Sequence, residues 1–345
     1  MTTIIHITIL FLMLLLGIAL GIYMRHQNKI WTFLKNIFRE TYVKLDDTRH
    51  LKWKKEFEVV SIPSQLDGAI QKAYFYKTKS SAPKPLIVSL HTWTGYYTQQ
   101  DEIAGLCLEH DINYIHPDFR GGNFNKDACG STLALGDIDD AILYAIRNAN
   151  VDAHHVYLIG GSGGAHAALS VLMKSKQSIR KISVWASIAD LTAWFEESQV
   201  LRNNYANNIL ACTESKDGIL NEANARERSP FHTVMPIEKL SNTEIFIYHG
   251  IYDGIQGSVP ITQSINFYNK LLSDLDVKDS SVYVSDSEKL LLLEHRKPLA
   301  HYGKIADRRI CLHKSYRKIS LIIFEGSHEI LLEHAFNQLL EKTEQ

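Results

Sequence analysis

Ser162 stands at the centre of Gly160-Gly161-Ser162-Gly163-Gly164, after the apolar run Val156-Tyr157-Leu158-Ile159 and before the small-residue stretch Ala165-His166-Ala167-Ala168-Leu169-Ser170. Gly-x-Ser-x-Gly between a strand and a helix is the pattern of a sharp turn that holds a serine in a strained conformation with its hydroxyl exposed. Small residues on both sides are a steric need, because strand and helix cross too closely there for larger side chains. Such a serine can attack a carbonyl carbon. The plainer reading is a glycine-rich turn whose serine only caps the helix.

A nucleophilic serine needs a base, a group that orients the base, and donors for the oxyanion. Asp253 lies in His249-Gly250-Ile251-Tyr252-Asp253-Gly254, just past an apolar run. There its carboxylate is placed to fix an imidazole tautomer, although Asp-Gly is also a common turn dipeptide. His328 lies in Glu325-Gly326-Ser327-His328-Glu329, past the last apolar run, where a general base belongs. The N–H of Gly163 is the expected first oxyanion donor. The second is expected from Thr92 or Trp93, in His91-Thr92-Trp93-Thr94-Gly95. His91 itself reads more readily as an anchor for that loop. Gly160 and Gly164 complete the elbow.

Metal chemistry is poorly represented. His328-Glu329 and Glu333-His334 lack the His-Glu-x-x-His spacing of a zinc helix. Cys107, Cys129, Cys212 and Cys311 have no metal-ligand spacing and do not read as a disulfide framework. No metal or organic cofactor is implied.

The elements that must position these residues alternate along the chain. Strand-like runs fall at 57–62, 69–76, 85–90, 112–117, 156–159, 182–188, 244–248 and 320–324. The first two alternate polar and apolar residues, as antiparallel edge strands do. The later ones are near-continuously apolar, which suits parallel strands buried on both faces. Helical stretches at 99–109, 133–148, 163–175, 261–275 and 329–342 lie between them. The alternation predicts a doubly wound α/β architecture, an eight-stranded, mostly parallel sheet with flanking helices. Two connections, 189–241 and 277–318, are too long for simple crossovers and read as insertions. The aromatic residues Trp93, Tyr96, Tyr97 and Trp194 are pocket candidates, though core or lid packing is the commoner role for each.

The chain has 345 residues and a formal net charge of −1, so nothing global points to nucleic acid. Charge is uneven, however: residues 25–55 carry nine Lys or Arg against three acids. This stretch follows an apolar run at 4–24 without a charged residue. A helix of that length rises about 31 Å, enough to cross a bilayer core. No Lys or Arg precedes the run, unlike a cleaved signal peptide. The expectation is therefore a membrane anchor at 1–24, a basic juxtamembrane linker at 25–55 against lipid, and a catalytic domain at 56–345. The positive-inside rule places that domain on the cytoplasmic side.

From about residue 57 to residue 340 the chain resembles the α/β-hydrolase fold, and more narrowly the catalytic domain of prolyl oligopeptidase-type serine hydrolases. The likeness rests on His91–Gly95, Pro117-Asp118-Phe119-Arg120-Gly121, Asp137-Ile138-Asp139-Asp140-Ala141, Gly160–Gly164, His249–Gly254, Val259-Pro260 and Glu325–Glu329. The order Ser162, Asp253, His328 is the chain order of that fold. The resemblance implies nucleophile, acid and base at those positions, and a small-molecule or peptide substrate. The chain departs from the family pattern in three places. About 55 residues precede the domain, too few for the family's amino-terminal β-propeller. His91 stands where some members have a tyrosine. The acid-to-base interval is lengthened by the charged insertion. An ester substrate is thus as compatible as a peptide. The reading from another class is a non-catalytic binding module on the same scaffold, against which the intact Ser, Asp and His set argues.

Overall fold

A computed structural model describes Met13 and residues 52–341. Met13 apart, these residues belong to one compact unit, Lys44–Gln345. The expected span at 4–24, and the basic stretch up to residue 51, lie outside the described residues. Among the described residues no helix is long and apolar enough to cross a membrane.

The chain runs through β1 (Glu58–Pro63), β2 (Ile70–Tyr76), β3 (Lys84–Leu90), α1 (Ile103–Glu109), β4 (Asn113–Pro117), α2 (Thr132–Asn148), β5 (Val151–Gly161), α3 (Gly163–Lys174) and β6 (Lys181–Trp185). Four short helices follow: α4 (Leu191–Val200), α5 (Tyr205–Cys212), α6 (Glu222–Arg228) and α7 (Ile237–Leu240). The remainder is β7 (Glu244–Gly250), α8 (Thr262–Asp274), α9 (Asp286–His295), β8 (Lys304–Ile305), β9 (Arg308–Tyr316), β10 (Ile319–Phe324) and α10 (Leu332–Leu340).

The strands form one sheet in the order β1-β2-β4-β3-β5-β6-β7-β10-β9-β8. The six from β4 to β10 in that order are mutually parallel. Antiparallel strands extend both edges. Val88 and Leu90 join a core with Leu135 and Ile138 of α2 and Leu169 of α3. Ile87, which immediately precedes Val88, joins a second core with Cys107 of α1 and Phe336 of α10. Successive strand side chains point to opposite faces, so a continuous apolar run fills both layers at once.

The sheet has ten strands among the described residues, not the expected eight. The two additional strands, β8 and β9, lie inside 277–318, which reads in the sequence as an insertion because it is too long for a simple crossover. In β9 the charged and polar side chains are ones an edge strand can leave in water, while Ile310, Cys311 and Leu312 are buried. The β9–β10 hairpin turns through Arg317-Lys318, with Arg317 at φ 52°. It has none of the Asn-Gly or Asp-Gly signal that marks such turns. In α9 only Leu292 of the four consecutive leucines is buried. The 189–241 connection holds α4 to α7. Several boundaries also shift: β5 begins at Val151, β6 ends at Trp185, α1 starts at Ile103, and α10 spans Leu332–Leu340.

Candidate active site

Strand β5 runs directly into α3, and the single residue between them is Ser162 at φ 55°, ψ −118°. A non-glycine residue there is strained by about 1–3 kcal/mol. Its N–H donates to the Trp185 carbonyl of β6 (2.9 Å), and its carbonyl accepts from the His166 N–H (3.0 Å), which together hold the turn. The Ser162 side chain makes no capping hydrogen bond to α3. The plain reading of this serine as a helix cap is therefore not what the fold uses it for. A Cβ on Gly160 would lie 2.3 Å from the Gly164 backbone, so strand and helix close on each other through these two glycines.

Asp253 and His328 come from adjacent strands. β7 and β10 are parallel neighbours, with Gly250 opposite Phe324. The loops after them therefore leave the sheet side by side. His328 Nδ1 lies 2.6 Å from Asp253 Oδ2. The other carboxylate oxygen, Oδ1, accepts from the Gly254 N–H (2.9 Å) and the Val259 N–H (3.1 Å). Asp253 is fully buried, while the His328 side chain is 17% exposed. Burial alone would raise the Asp253 pKa, but the His328 charge and the hydrogen bonds from His249 and His328 outweigh it. They hold the carboxyl well below the usual carboxylate range.

A second histidine from the His249–Gly254 segment reaches this carboxylate. His249 Nε2 lies 3.1 Å from Asp253 Oδ2 and 3.0 Å from the Val259 carbonyl. Its Nδ1 lies 2.7 Å from Ser264 Oγ, which is 2.8 Å from Ser187 Oγ. The sequence signal is the four-residue spacing from His249 to Asp253, across the end of a buried strand.

Strand β3 lies beside β5, with Leu90 opposite Gly160, so the His91–Gly95 loop meets the elbow. The Thr92 N–H donates to Gln99 Oε1 (2.9 Å). Of the two expected second donors, Thr92 is thus already engaged. The Trp93 nitrogen is the one packed against the residue after Ser162: a Cβ on Gly163 would lie 2.4 Å from it. The Trp93 carbonyl accepts from the Asn123 N–H (2.7 Å), which fixes the peptide on its far side. His91 anchors the loop. Its ring stacks on Phe119 at 3.8 Å, and Nε2 lies 2.7 Å from the Asp118 carbonyl.

Other motif segments are structural. Arg120 reaches Asp137 Oδ2 (2.5 Å) and Asp67 Oδ2 (2.7 Å), tying the loop after β4 to α2. Trp93 and Trp194 are wholly buried and meet edge to face at 4.8 Å. They are packing, and Tyr96 is exposed. Near His328, Glu329 pairs with Arg308 and His334 with the Tyr248 hydroxyl. Among the described residues no group of three or more His, Cys, Asp or Glu is placed to hold a metal ion.

The BD-FAE family model matches residues 74–271, more than half of the chain. No curated protein matches the sequence. Among solved structures, the uncomplexed acylaminoacyl peptidase of Pyrococcus horikoshii is similar at 17% identity and TM-score 0.51, over 64% of this chain and 35% of that one. An acylaminoacyl peptidase in complex with Z-Gly-Gly-Phe-chloromethyl ketone is similar at 16% identity and TM-score 0.56, over 83% and 40%. Oligopeptidase B from Leishmania major is similar at 12% identity and TM-score 0.52, over 82% and 36%. This chain therefore corresponds to well under half the length of each. The likeness is one of fold: an α/β-hydrolase-like architecture with a mixed, largely parallel sheet.

Proposed function

We propose that this chain, which belongs to the BD-FAE family of α/β-hydrolase type, is a serine hydrolase that cleaves an ester or amide bond. The observation that carries the reading is Ser162. It is strained, nearly buried and not spent on capping its helix, and a hydrogen-bonded acid–histidine pair stands on the loops after β7 and β10 of the same parallel sheet. Strain at such a residue persists only where the surrounding structure enforces it, and it gathers at working sites.

In the proposed reaction Ser162 Oγ attacks the carbonyl carbon while His328 takes its proton. Asp253 holds the imidazole with Nε2 toward the serine and stabilises the imidazolium. The Gly163 and Trp93 N–H groups receive the oxyanion. His328 then protonates the leaving alcohol or amine, and water, deprotonated by His328, releases the acyl group. The similar solved structures are peptidases by name, but they are far longer than this chain, so a carboxylic ester is retained beside the peptide bond as substrate. The apolar run 4–24 and the basic stretch after it are proposed to hold the domain at a membrane, on its cytoplasmic face.

The test uses the full chain in detergent and its Ser162→Ala variant, each treated with a fluorophosphonate and weighed intact. A single adduct on the wild type, absent from the variant, is expected. No adduct on a folded wild type would overturn the reading in favour of a binding module. Turnover of a nitrophenyl acyl ester against an aminoacyl-naphthylamide then separates ester from amide. Ser162→Ala should lower either by on the order of 10³–10⁶.

A further inference from the structure

The helices α4 to α6 pack on the rest of the domain along a seam that carries two cysteines. Cys129 lies in the loop between β4 and α2, and Cys212 ends α5, 83 residues further on. Both are wholly buried, in one apolar cluster with Trp93, Trp194, Ile209 and Val259. Their Sγ atoms are 2.9 Å apart. A disulfide bond is about 2.05 Å long, so less than about 1 Å of sulfur movement separates the thiols from it.

The backbone on both sides of the seam is already held in place. Arg228, the last residue of α6, donates Nη1 to the Ala128 carbonyl (2.9 Å) and Nη2 to the Lys126 carbonyl (2.8 Å). The Cys129 N–H donates to Asn123 Oδ1 (2.8 Å). One insert residue thus clamps the loop immediately before Cys129. A cavity of about 380 Å³ opens along the same seam, lined by Lys126, Gly130, Glu214 and Arg228 among others. Gly130, next to Cys129, and Glu214, two residues past Cys212, border this space.

We propose that Cys129 and Cys212 form a disulfide that staples the 189–241 insert to the loop preceding α2. The proposal goes beyond the hydrolase reading and does not rest on it, since the bond is a property of the fold whether or not Ser162 reacts. The oxidant is a small-molecule disulfide of the glutathione class. The thiolate of one cysteine attacks it, forming a mixed disulfide and releasing one thiol. The second cysteine attacks the protein sulfur of that mixed disulfide, forming the Cys129–Cys212 bond and releasing the second thiol. Two electrons and two protons end on the two released thiols. Burial raises the Cys129 thiol pKa, and the docked insert closes both thiols off from a solvent-borne disulfide. Exchange therefore proceeds while the insert is undocked, during folding or in transient opening. On the proposed cytoplasmic face, where the thiol pool is reducing, the pair stands as thiols and closes when the disulfide form of that pool rises.

The test uses the full chain in detergent, incubated with oxidised glutathione with and without sub-denaturing urea. It is then denatured without reductant, alkylated and digested. The expected product is a Cys129–Cys212 linked peptide two hydrogens lighter than its parts, with Cys107 and Cys311 alkylated and the linkage faster in urea. The oxidised protein should melt higher than the reduced one by on the order of 5 °C. Cys212→Ser should lose both the linkage and the shift. Alkylation of all four cysteines after oxidation in urea would overturn the proposal. So would a stable glutathione adduct at Cys129 or Cys212 that never resolves into the pair.

Discussion

His249 and His328 meet at one oxygen of Asp253. His328 Nδ1 lies 2.6 Å from Oδ2, and His249 Nε2 lies 3.1 Å from the same atom. His249 Nε2 also faces the Val259 carbonyl at 3.0 Å. Both of its neighbours accept, so that nitrogen carries the hydrogen. The other face of the ring is set by Ser264, and Ser264 by Ser187. The acid is thus positioned from beneath by a buried polar chain as well as by the N–H groups of Gly254 and Val259.

Replacing His249 separates positioning from mere packing. His249→Phe keeps a ring but removes the hydrogen bonds to the Val259 carbonyl and the Ser264 hydroxyl in the core, costing about 1–3 kcal/mol in urea unfolding. If His249 positions the acid, fluorophosphonate labelling of the folded variant also slows by about tenfold, because Asp253 no longer holds His328 in one orientation. A variant that loses stability but labels at the wild-type rate would reduce His249 to a packing residue.

Gly163→Ala tests the oxyanion geometry. The new Cβ would meet the Trp93 backbone at 2.4 Å, and backbone on both sides leaves nothing flexible to yield. The expected result is a folded protein whose labelling falls by on the order of 10²–10³, the usual loss for one displaced donor. Gly105→Ala in α1 is the control, since nothing lies within 4 Å of its Cβ. It should label normally and be stabilised by up to about 1 kcal/mol.

Glu197 of α4 gives a pH dependence to the docking of the insert. Burial pushes its carboxyl up to about 7, against weaker lowering by hydrogen bonds from Gln263 and Thr262. Nearby Asp190 adds to the rise, and His232 faces that aspartate. A carboxyl raised on folding favours the protonated state, so its contribution is full below the unfolded pKa of about 4.3. It is lost as pH rises toward 7. Thermal stability should fall across that window by about 1–3 kcal/mol. Glu197→Gln should flatten the profile and be the more stable protein at pH 8. Parallel profiles for the two proteins would discard the assignment.

Much of the site was legible from residue order. Ser162, Asp253 and His328 each follow an apolar run, and the runs proved to be parallel strands of one sheet, β7 and β10 side by side and β5 separated from β7 by β6. Patterning reports a strand buried on both faces, because its whole length must be apolar. It reports poorly on edge strands. β9 was hidden among the charges of 277–318 because one side of it faces water, and Arg317-Lys318 carries no turn signal. Motif residues were visible but not their duties. Arg120 and Asp137 resemble site residues in sequence, yet they form a buried ion pair that fastens a loop to α2.

By itself, then, the order of residues determined the alternation of elements, the elbow and the set of groups that could do acyl chemistry, since these depend on local sterics and hydropathy. Only the tertiary structure decided which partners those groups have. It set the Trp93 backbone nitrogen against Gly163 and gave the Thr92 N–H to Gln99. It set a second histidine against Asp253, and it brought Cys129 to Cys212 across 83 residues. Hydrogen bonds and sulfur contacts between distant segments depend on how layers pack, and no periodicity along the chain encodes that.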